Sequence, residues 1–119
     1  MKRYFSLMII LAAKLACAQI DEWPLILPPG AEPSASKHNN FGIEDFKIGH
    51  YNEAFLHFKQ AYAADKTAGE IFFNIGLTLH AMGNKGRVAE QFNLARKYAQ
   101  GNIQILESKI LLDYLKKSE

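Results

Sequence analysis

The chain is poor in cysteine, in net charge, and in proline outside one short region. Cys17 is its single cysteine among 119 residues, and it lies in a segment that we expect to be removed. The remaining chain then has no disulfide framework, no thiol nucleophile and no cysteine-based metal site. At this length the chain forms one small domain at most, because few residues are available to build a core.

Positive and negative charges are nearly balanced. Fourteen basic residues stand against twelve acidic ones, and three of the basic residues lie in the first eighteen positions. Without residues 1–18, eleven basic and twelve acidic residues remain, which gives a net charge of −1. A nearly neutral domain has no basic patch for nucleic acid or for an anionic membrane surface. We therefore expect neither nucleic acid nor, after removal of the first segment, a membrane as a partner.

Residues 1–18 have the organisation of a secretory signal peptide. A basic start at residues 1–3 precedes an apolar run over residues 4–13, and residues 16–18 (Ala-Cys-Ala) give the small-x-small pattern that signal peptidase accepts. Cleavage after Ala18 would make Gln19 the first mature residue. The sequence thus predicts an exported protein, either periplasmic or secreted.

Other interpretations of this segment stay open. It is short for a transmembrane helix, which needs about 20 apolar residues, yet it is also compatible with an uncleaved anchor or a buried helix. Cys17 follows the apolar run as the acylated cysteine of a lipoprotein does, although Lys14 stands where that motif has an apolar residue. A lipid anchor at Cys17 is therefore an alternative to cleavage after Ala18.

Residues 19–37 form a second zone that contains all four prolines. Proline lacks a backbone donor and favours extended geometry in the residue before it, so we expect no helix there and a flexible polar linker over residues 31–37. This zone nevertheless carries an apolar cluster: Trp23, Leu25, Ile26 and Leu27. The cluster is either an N-terminal cap folded onto the groove or flank of its own domain, or a docking peptide for another protein.

From about residue 36 onward the apolar residues recur with a helical period. Gly49 and Gly83 are expected to end helices in the left-handed conformation that glycine tolerates best. Gly69 and Gly101 mark junctions between helical hairpins. The predicted helices span residues 36–48, 52–65, 69–82, 86–100 and 102–117.

Five residue identities recur at a spacing of 34 residues. An internal repeat of this length predicts stacked helical hairpins that bury their apolar faces against one another. The glycines of the repeat are expected to let neighbouring helices touch backbone to backbone, while the phenylalanines fill the gap between units. The recurring pairs are Asn40 and Asn74, Gly42 and Gly76, Gly49 and Gly83, Phe58 and Phe92, and Ala61 and Ala95.

The pattern resembles the tetratricopeptide repeat over residues 35–102. Phe72-x2-Ile75-Gly76-x2-Leu79 is similar to the opening of that motif, and residues 49–54 (Gly-His-Tyr-Asn-Glu-Ala) are similar to its turn. The resemblance implies an all-α protein with two antiparallel helical hairpins, over about 35–68 and 69–102. These would stack as a short right-handed solenoid, with residues 102–119 as a C-terminal capping helix.

The capping helix is predicted to begin at Asn102, a good N-cap residue. Its apolar face is expected to pack against the repeats, and self-association through it is an alternative. The residues of this predicted face are Ile103, Leu106, Ile110 and Tyr114, widened by Leu111, Leu112 and Leu115.

The resemblance also implies a concave groove lined by the first helix of each hairpin. Its lining is mostly apolar, so we expect a partner peptide or helix that is apolar rather than acidic. Asn74 matches one position of the carboxylate clamp found in some members, but Asn39 and Ile43 replace the lysine and asparagine of the first unit. The main groove positions are Asn39, Ile43, Phe46, Lys47, Phe73, Asn74, Leu77 and His80, with Ser36, Glu70 and Ala81 beside them.

No motif in the sequence points to catalysis, a metal or a cofactor. The histidines lack i, i+4 pairing and neighbouring carboxylates at ligand spacing, and no serine lies in a nucleophile motif. Residues 83–86 (Gly-Asn-Lys-Gly) follow no strand, which excludes a phosphate loop. We therefore expect a non-catalytic adaptor or assembly factor. The alternative is a structural subunit of an envelope or secretion assembly that self-associates through residues 23–27.

Overall fold

The computed structural model describes residues 21–118, and within these residues it contains six α-helices, one short 3-10 helix and no β-strand. The all-α class predicted from the sequence is thereby confirmed for this part of the chain. The predicted signal peptide, with Cys17 and the cleavage site after Ala18, lies outside the described residues. The helices are α1 (Pro33–Lys47), α2 (Tyr51–Ala64), α3 (Gly69–Ala81), α4 (Val88–Lys97), α5 (Ile103–Leu106) and α6 (Lys109–Lys117), with the 3-10 helix at Lys85–Arg87.

Two helical hairpins form the centre of the fold. α1 packs along α2, α3 packs along α4, and α2 and α3 are also neighbours, so the hairpins lie side by side. α6 packs against α4. Every residue of α3 from Gly69 to Leu79 is buried, because other parts of the chain surround this helix on all sides. No helix within residues 21–118 is long and apolar enough to span a bilayer.

Each hairpin places a glycine of its first helix against a phenylalanine of its second. A Cβ atom added to Gly42 would lie 2.5 Å from Cε1 of Phe58, and one added to Gly76 would lie 2.5 Å from Cε1 of Phe92. The prediction that two backbones touch at these glycines is therefore wrong, because a phenylalanine ring of the second helix packs against each glycine. Backbone approach occurs instead at Gly69, where an added Cβ would lie 2.6 Å from the carbonyl oxygen of Tyr98.

The first helix of each hairpin ends as the sequence predicts. Gly49 has φ +81° and Gly83 has φ +79°, both in the left-handed region. The N–H of His50 donates to the carbonyl of Asp45 at 2.9 Å, and the N–H of Asn84 donates to the carbonyl of Leu79 at 2.9 Å. This is the Schellman arrangement, which satisfies carbonyls that the last turn would otherwise leave free.

α1 begins earlier than the sequence predicts. Pro33 occupies its first turn, where a missing N–H costs nothing, and Oε2 of Glu32 accepts a hydrogen bond from the N–H of Ala35 at 2.7 Å. Residues 33–37 are thus helical rather than linker. The turn before them is closed by the N–H of Ala31, which donates to the carbonyl of Pro28 at 3.2 Å.

The region predicted as a single helix over residues 102–117 is divided into α5 and α6. Asn102 caps α5 as predicted, accepting from the N–H of Gln104 at 3.0 Å. Ser108 is buried and starts a second helix, because its Oγ accepts from the N–H of Leu111 at 3.2 Å. The break rotates the apolar face, so that Ile103 is 65% exposed. The buried apolar residues of this region are Ile105, Leu111 and Leu115.

Candidate functional site

The groove beside α1 and α3 holds residues 21–27 of the same chain, which we call the docked segment. It has no regular secondary structure. The N–H of Leu25 donates to Oδ1 of Asn74 at 2.6 Å, and its carbonyl accepts from Nδ2 of Asn39 at 2.9 Å and from Nδ2 of Asn74 at 2.8 Å. The main chain of one residue is thus bound on both sides by two side-chain amides.

These two amides, the asparagine pair, also bind each other. Nδ2 of Asn74 donates to Oδ1 of Asn39 at 2.8 Å, and both side chains are fully buried. A buried amide without partners is costly, and here Leu25 supplies the partners that the pair does not supply itself. The pair therefore binds the main chain of an extended residue in the groove, and the side chain of Leu25 packs against the core.

Apolar contacts flank the asparagine pair along the docked segment. Pro24 and Leu27 are buried, and the ring of Trp23 meets the ring of Phe46 edge-on, with centroids 5.9 Å apart. Trp23 still exposes 54% of its surface and Ile26 exposes 73%. The segment therefore has an inward side that the groove recognises and an outward side that faces solvent.

An acidic side chain fixes the beginning of the docked segment. Oε2 of Glu22 accepts a hydrogen bond from the N–H of Ile110 at 2.8 Å. Ile110 lies in the first turn of α6, whose free N–H groups and dipole favour a negative charge at that place. The segment is consequently attached to α6 as well as to α1 and α3.

A polar contact joins α3 to α6 beside this acidic end. Nδ1 of His80 lies 2.7 Å from Oη of Tyr114. Burial, and secondarily the positive charge of Lys85, lowers the pKa of His80 below its usual value, while burial raises the pKa of Tyr114. Both groups are therefore held neutral near pH 7. They line an open cavity of about 810 Å³ together with Glu22.

The predicted groove residues lie in different environments. Asn39 and Asn74 contact the docked segment directly, as described above. Lys47 is exposed, with its Nζ 3.6 Å from Oε1 of Glu44. Phe73 lies in the interior, where its ring stacks on that of Phe92 at 5.6 Å. The remaining positions are the buried apolar Ile43, Phe46 and Leu77 and the half-buried His80.

Several residues of the site are not evident from the sequence. The repeat spacing of 34 residues pairs Asn74 with Asn40, but Asn40 is exposed and the partner of Asn74 is Asn39. Glu22 reaches α6 across 88 positions of sequence, which no local pattern signals. The apolar cluster at residues 23–27 was the available signal, and its cap interpretation agrees with where the structure places it.

Within residues 21–118, no group of histidine, cysteine and carboxylate side chains is arranged to hold a metal ion. No family model matches the chain, and neither a curated protein nor a solved structure matches it.

Proposed function

We propose that the chain is a non-catalytic protein-binding module, an adaptor or assembly factor that acts in the periplasm or after secretion. It binds an extended segment of a partner in the groove beside α1 and α3. The observation that carries this proposal is the asparagine pair, whose buried amides hold both main-chain groups of Leu25. Main-chain hydrogen bonding is one of the ways in which proteins recognise extended peptides.

We further propose that the two hairpins are tetratricopeptide-like units. The contact of Gly42 with Phe58 recurs between Gly76 and Phe92, 34 residues later. The left-handed helix ends at Gly49 and Gly83 recur with the same offset. Equal offsets of packing and of helix termination support a repeated unit over a helical bundle of unrelated hairpins.

A binding role also agrees with the chemistry of the groove. The asparagine pair is already used in hydrogen bonds with the main chain of Leu25 and between the two amides, and His80 is paired with Tyr114. A general base needs a free position within hydrogen-bond reach of a substrate proton. The polar groups of this groove are arranged to hold a peptide instead.

Site-specific photo-cross-linking in the producing cell tests the groove. The photoreactive residue replaces Lys47, which is exposed at the end of α1 beside Phe46. Lys59, exposed on α2, is the matched control position. We expect a discrete protein adduct from position 47 and none from position 59. Equal labelling from both positions, or none from position 47, contradicts a groove partner. The mass of the same purified protein shows whether the exported form begins at Gln19.

The second candidate is a structural subunit that self-associates through the docked segment. It is favoured by the apolar surface that Trp23 and Ile26 leave exposed on the outer side of that segment. Light scattering of the mature protein over a range of concentrations tests it. A monomer at every concentration excludes the subunit role, and an oligomer that dissociates on Trp23→Ser and Ile26→Ser substitution supports it.

A further inference from the structure

We infer that the ligand of the groove is an extended partner segment with the chemistry of residues 22–27: a carboxylate, then an aromatic residue, proline, an apolar residue, any residue, and leucine. The docked segment then occupies the ligand position of its own groove and must be displaced. This inference rests on the proposed function and specifies its ligand.

The direction of the ligand follows from the contacts of the docked segment. Trp23 touches Phe46 in the last turn of α1, while Leu25 reaches Asn39 in the middle of that helix. Leu27 then borders a cavity shared with Ala68 and Glu70 at the start of α3. The bound chain therefore runs opposite to α1 and α3, and a segment of reversed direction would present its carboxylate to the wrong end of the groove.

The main-chain contacts impose a requirement at one position. The residue held by the asparagine pair must have an N–H, because Oδ1 of Asn74 accepts from it. Proline is excluded there but suits the preceding position, where Pro24 is buried and biases the chain to an extended conformation. A ligand that is extended before binding loses less entropy on docking.

Two side-chain contacts set the ends of the ligand. The carboxylate of Glu22 binds the first turn of α6, a nine-residue helix, through the N–H of Ile110. At the other end, Leu27 is buried and exposes only 8% of its surface. By contrast, Ile26 projects into solvent, so the groove places no restriction on that position.

Displacement is limited by the covalent link between the docked segment and α1. The connection through Pro28, Pro29 and Gly30 is short and exposed. A segment tethered this way is present at an effective concentration on the order of millimolar, so a free ligand competes poorly until the tether is cut or the partner supplies further contacts.

The experiment converts this tether into a cleavable one in the full mature chain. A protease site is inserted between Pro29 and Gly30, and the folded protein is cut after purification. A labelled peptide with the sequence of residues 19–29 is then added, and its binding is followed by fluorescence anisotropy. We expect saturable binding to the cut protein and none to the uncut protein at peptide concentrations well below millimolar. Lack of exchange into the cut protein overturns the inference.

Changes in the peptide, rather than in the protein, test the contacts without affecting folding. N-methylation at Leu25 removes the N–H and is expected to weaken binding about tenfold or more. Leu27→Ala is expected to cost about tenfold, and Glu22→Gln about threefold. Ile26→Ala is the matched control and should bind as the parent does. Equal binding of the N-methylated peptide overturns the inference.

The two proposals fail in different ways. If the peptide series shows no dependence on these positions while cross-links from position 47 persist, the ligand chemistry is wrong and the binding module stands. If the peptides bind as expected but no cross-link forms at position 47, the groove serves only its own docked segment and the proposed function is wrong.

Discussion

The two hairpins are alike where they determine packing and unlike where they contact the docked segment. Gly42 and Gly76 meet phenylalanines in the same way, and both first helices end in left-handed glycines. The asparagine pair breaks this correspondence, because Asn39 corresponds in register to Phe73, and Asn74 to the exposed Asn40. Positions that fix how helices pack therefore follow the 34-residue offset, whereas positions that bind the segment are specific to each hairpin.

The largest expected loss of stability comes from substituting Gly42 and Gly76, the glycines that contact a phenylalanine in both hairpins. Gly76→Leu should destabilise the protein by about 3 kcal/mol, because the added atoms overlap the ring of Phe92. Gly42→Leu should have a similar cost, because an added Cβ there lies 2.5 Å from Cε1 of Phe58, which is as fully buried as Phe92. Urea unfolding followed by circular dichroism measures both. Gly86→Ala is the control, because an added Cβ there meets nothing within 4 Å. An unchanged midpoint for Gly76→Leu would contradict the packing of the second hairpin.

The asparagine pair gives the next largest effect on stability. Substitutions here distinguish the 35-residue spacing of Asn39 and Asn74 from the 34-residue spacing of the repeat. Asn74→Ala should destabilise the protein by about 2 kcal/mol, because it leaves the N–H of Leu25 and Oδ1 of Asn39 without their partners. Asn40→Ala, at the position the repeat pairs with Asn74, should change stability by less than about 0.5 kcal/mol. Thermal unfolding of the two variants measures the difference. Equal effects would mean that the repeat offset, and not the pair at 39 and 74, describes the site.

The left-handed helix ends predict two smaller and nearly equal effects. Gly49→Ala and Gly83→Ala should each cost about 1 kcal/mol, because a Cβ is disfavoured at positive φ. No neighbouring atom lies within 4 Å of either added Cβ, so the backbone alone determines the result. Denaturant midpoints that differ by more than the error of the measurement would show that the hairpins are not equivalent at their turns.

The sequence predicted those features that depend on local chemistry. The helix ends at Gly49 and Gly83 and the N-cap at Asn102 each follow from a residue whose own backbone or side chain decides the outcome. The division of residues 102–117 was missed because a helical wheel counts apolar positions and ignores Ser108, whose hydroxyl starts a new helix. After this break in the helix, Ile105 is buried and Ile103 is exposed, the reverse of the predicted face.

The site was harder to predict because its contacts are distant in sequence. Leu25 and Asn74 are 49 positions apart, and the contact uses the main chain of Leu25, which has no residue-type signature. The apolar cluster showed that residues 23–27 need a surface to cover, but both the domain's own groove and another protein satisfied that need. In the structure, Asn39 and Asn74 bind Leu25 of the same chain, so residues 21–27 cover the groove of their own domain.

The smallest expected effect concerns pH and a position at which the hairpins differ, since His80 of the second hairpin stands where Phe46 stands in the first. Burial lowers the pKa of His80 in the folded state, so the unfolded chain binds a proton there more readily. Stability should therefore rise with pH between the lowered pKa and the ordinary value of 6.5, and fall as the pH decreases through that window. The measurement is the urea midpoint at several pH values for the parent and for His80→Phe. The substitution should flatten the profile in that window, since phenylalanine cannot bind a proton. If the urea midpoint of His80→Phe depends on pH as steeply as that of the parent, protonation of His80 does not weaken its contact with Tyr114. His80 and Phe46 would then differ only in shape.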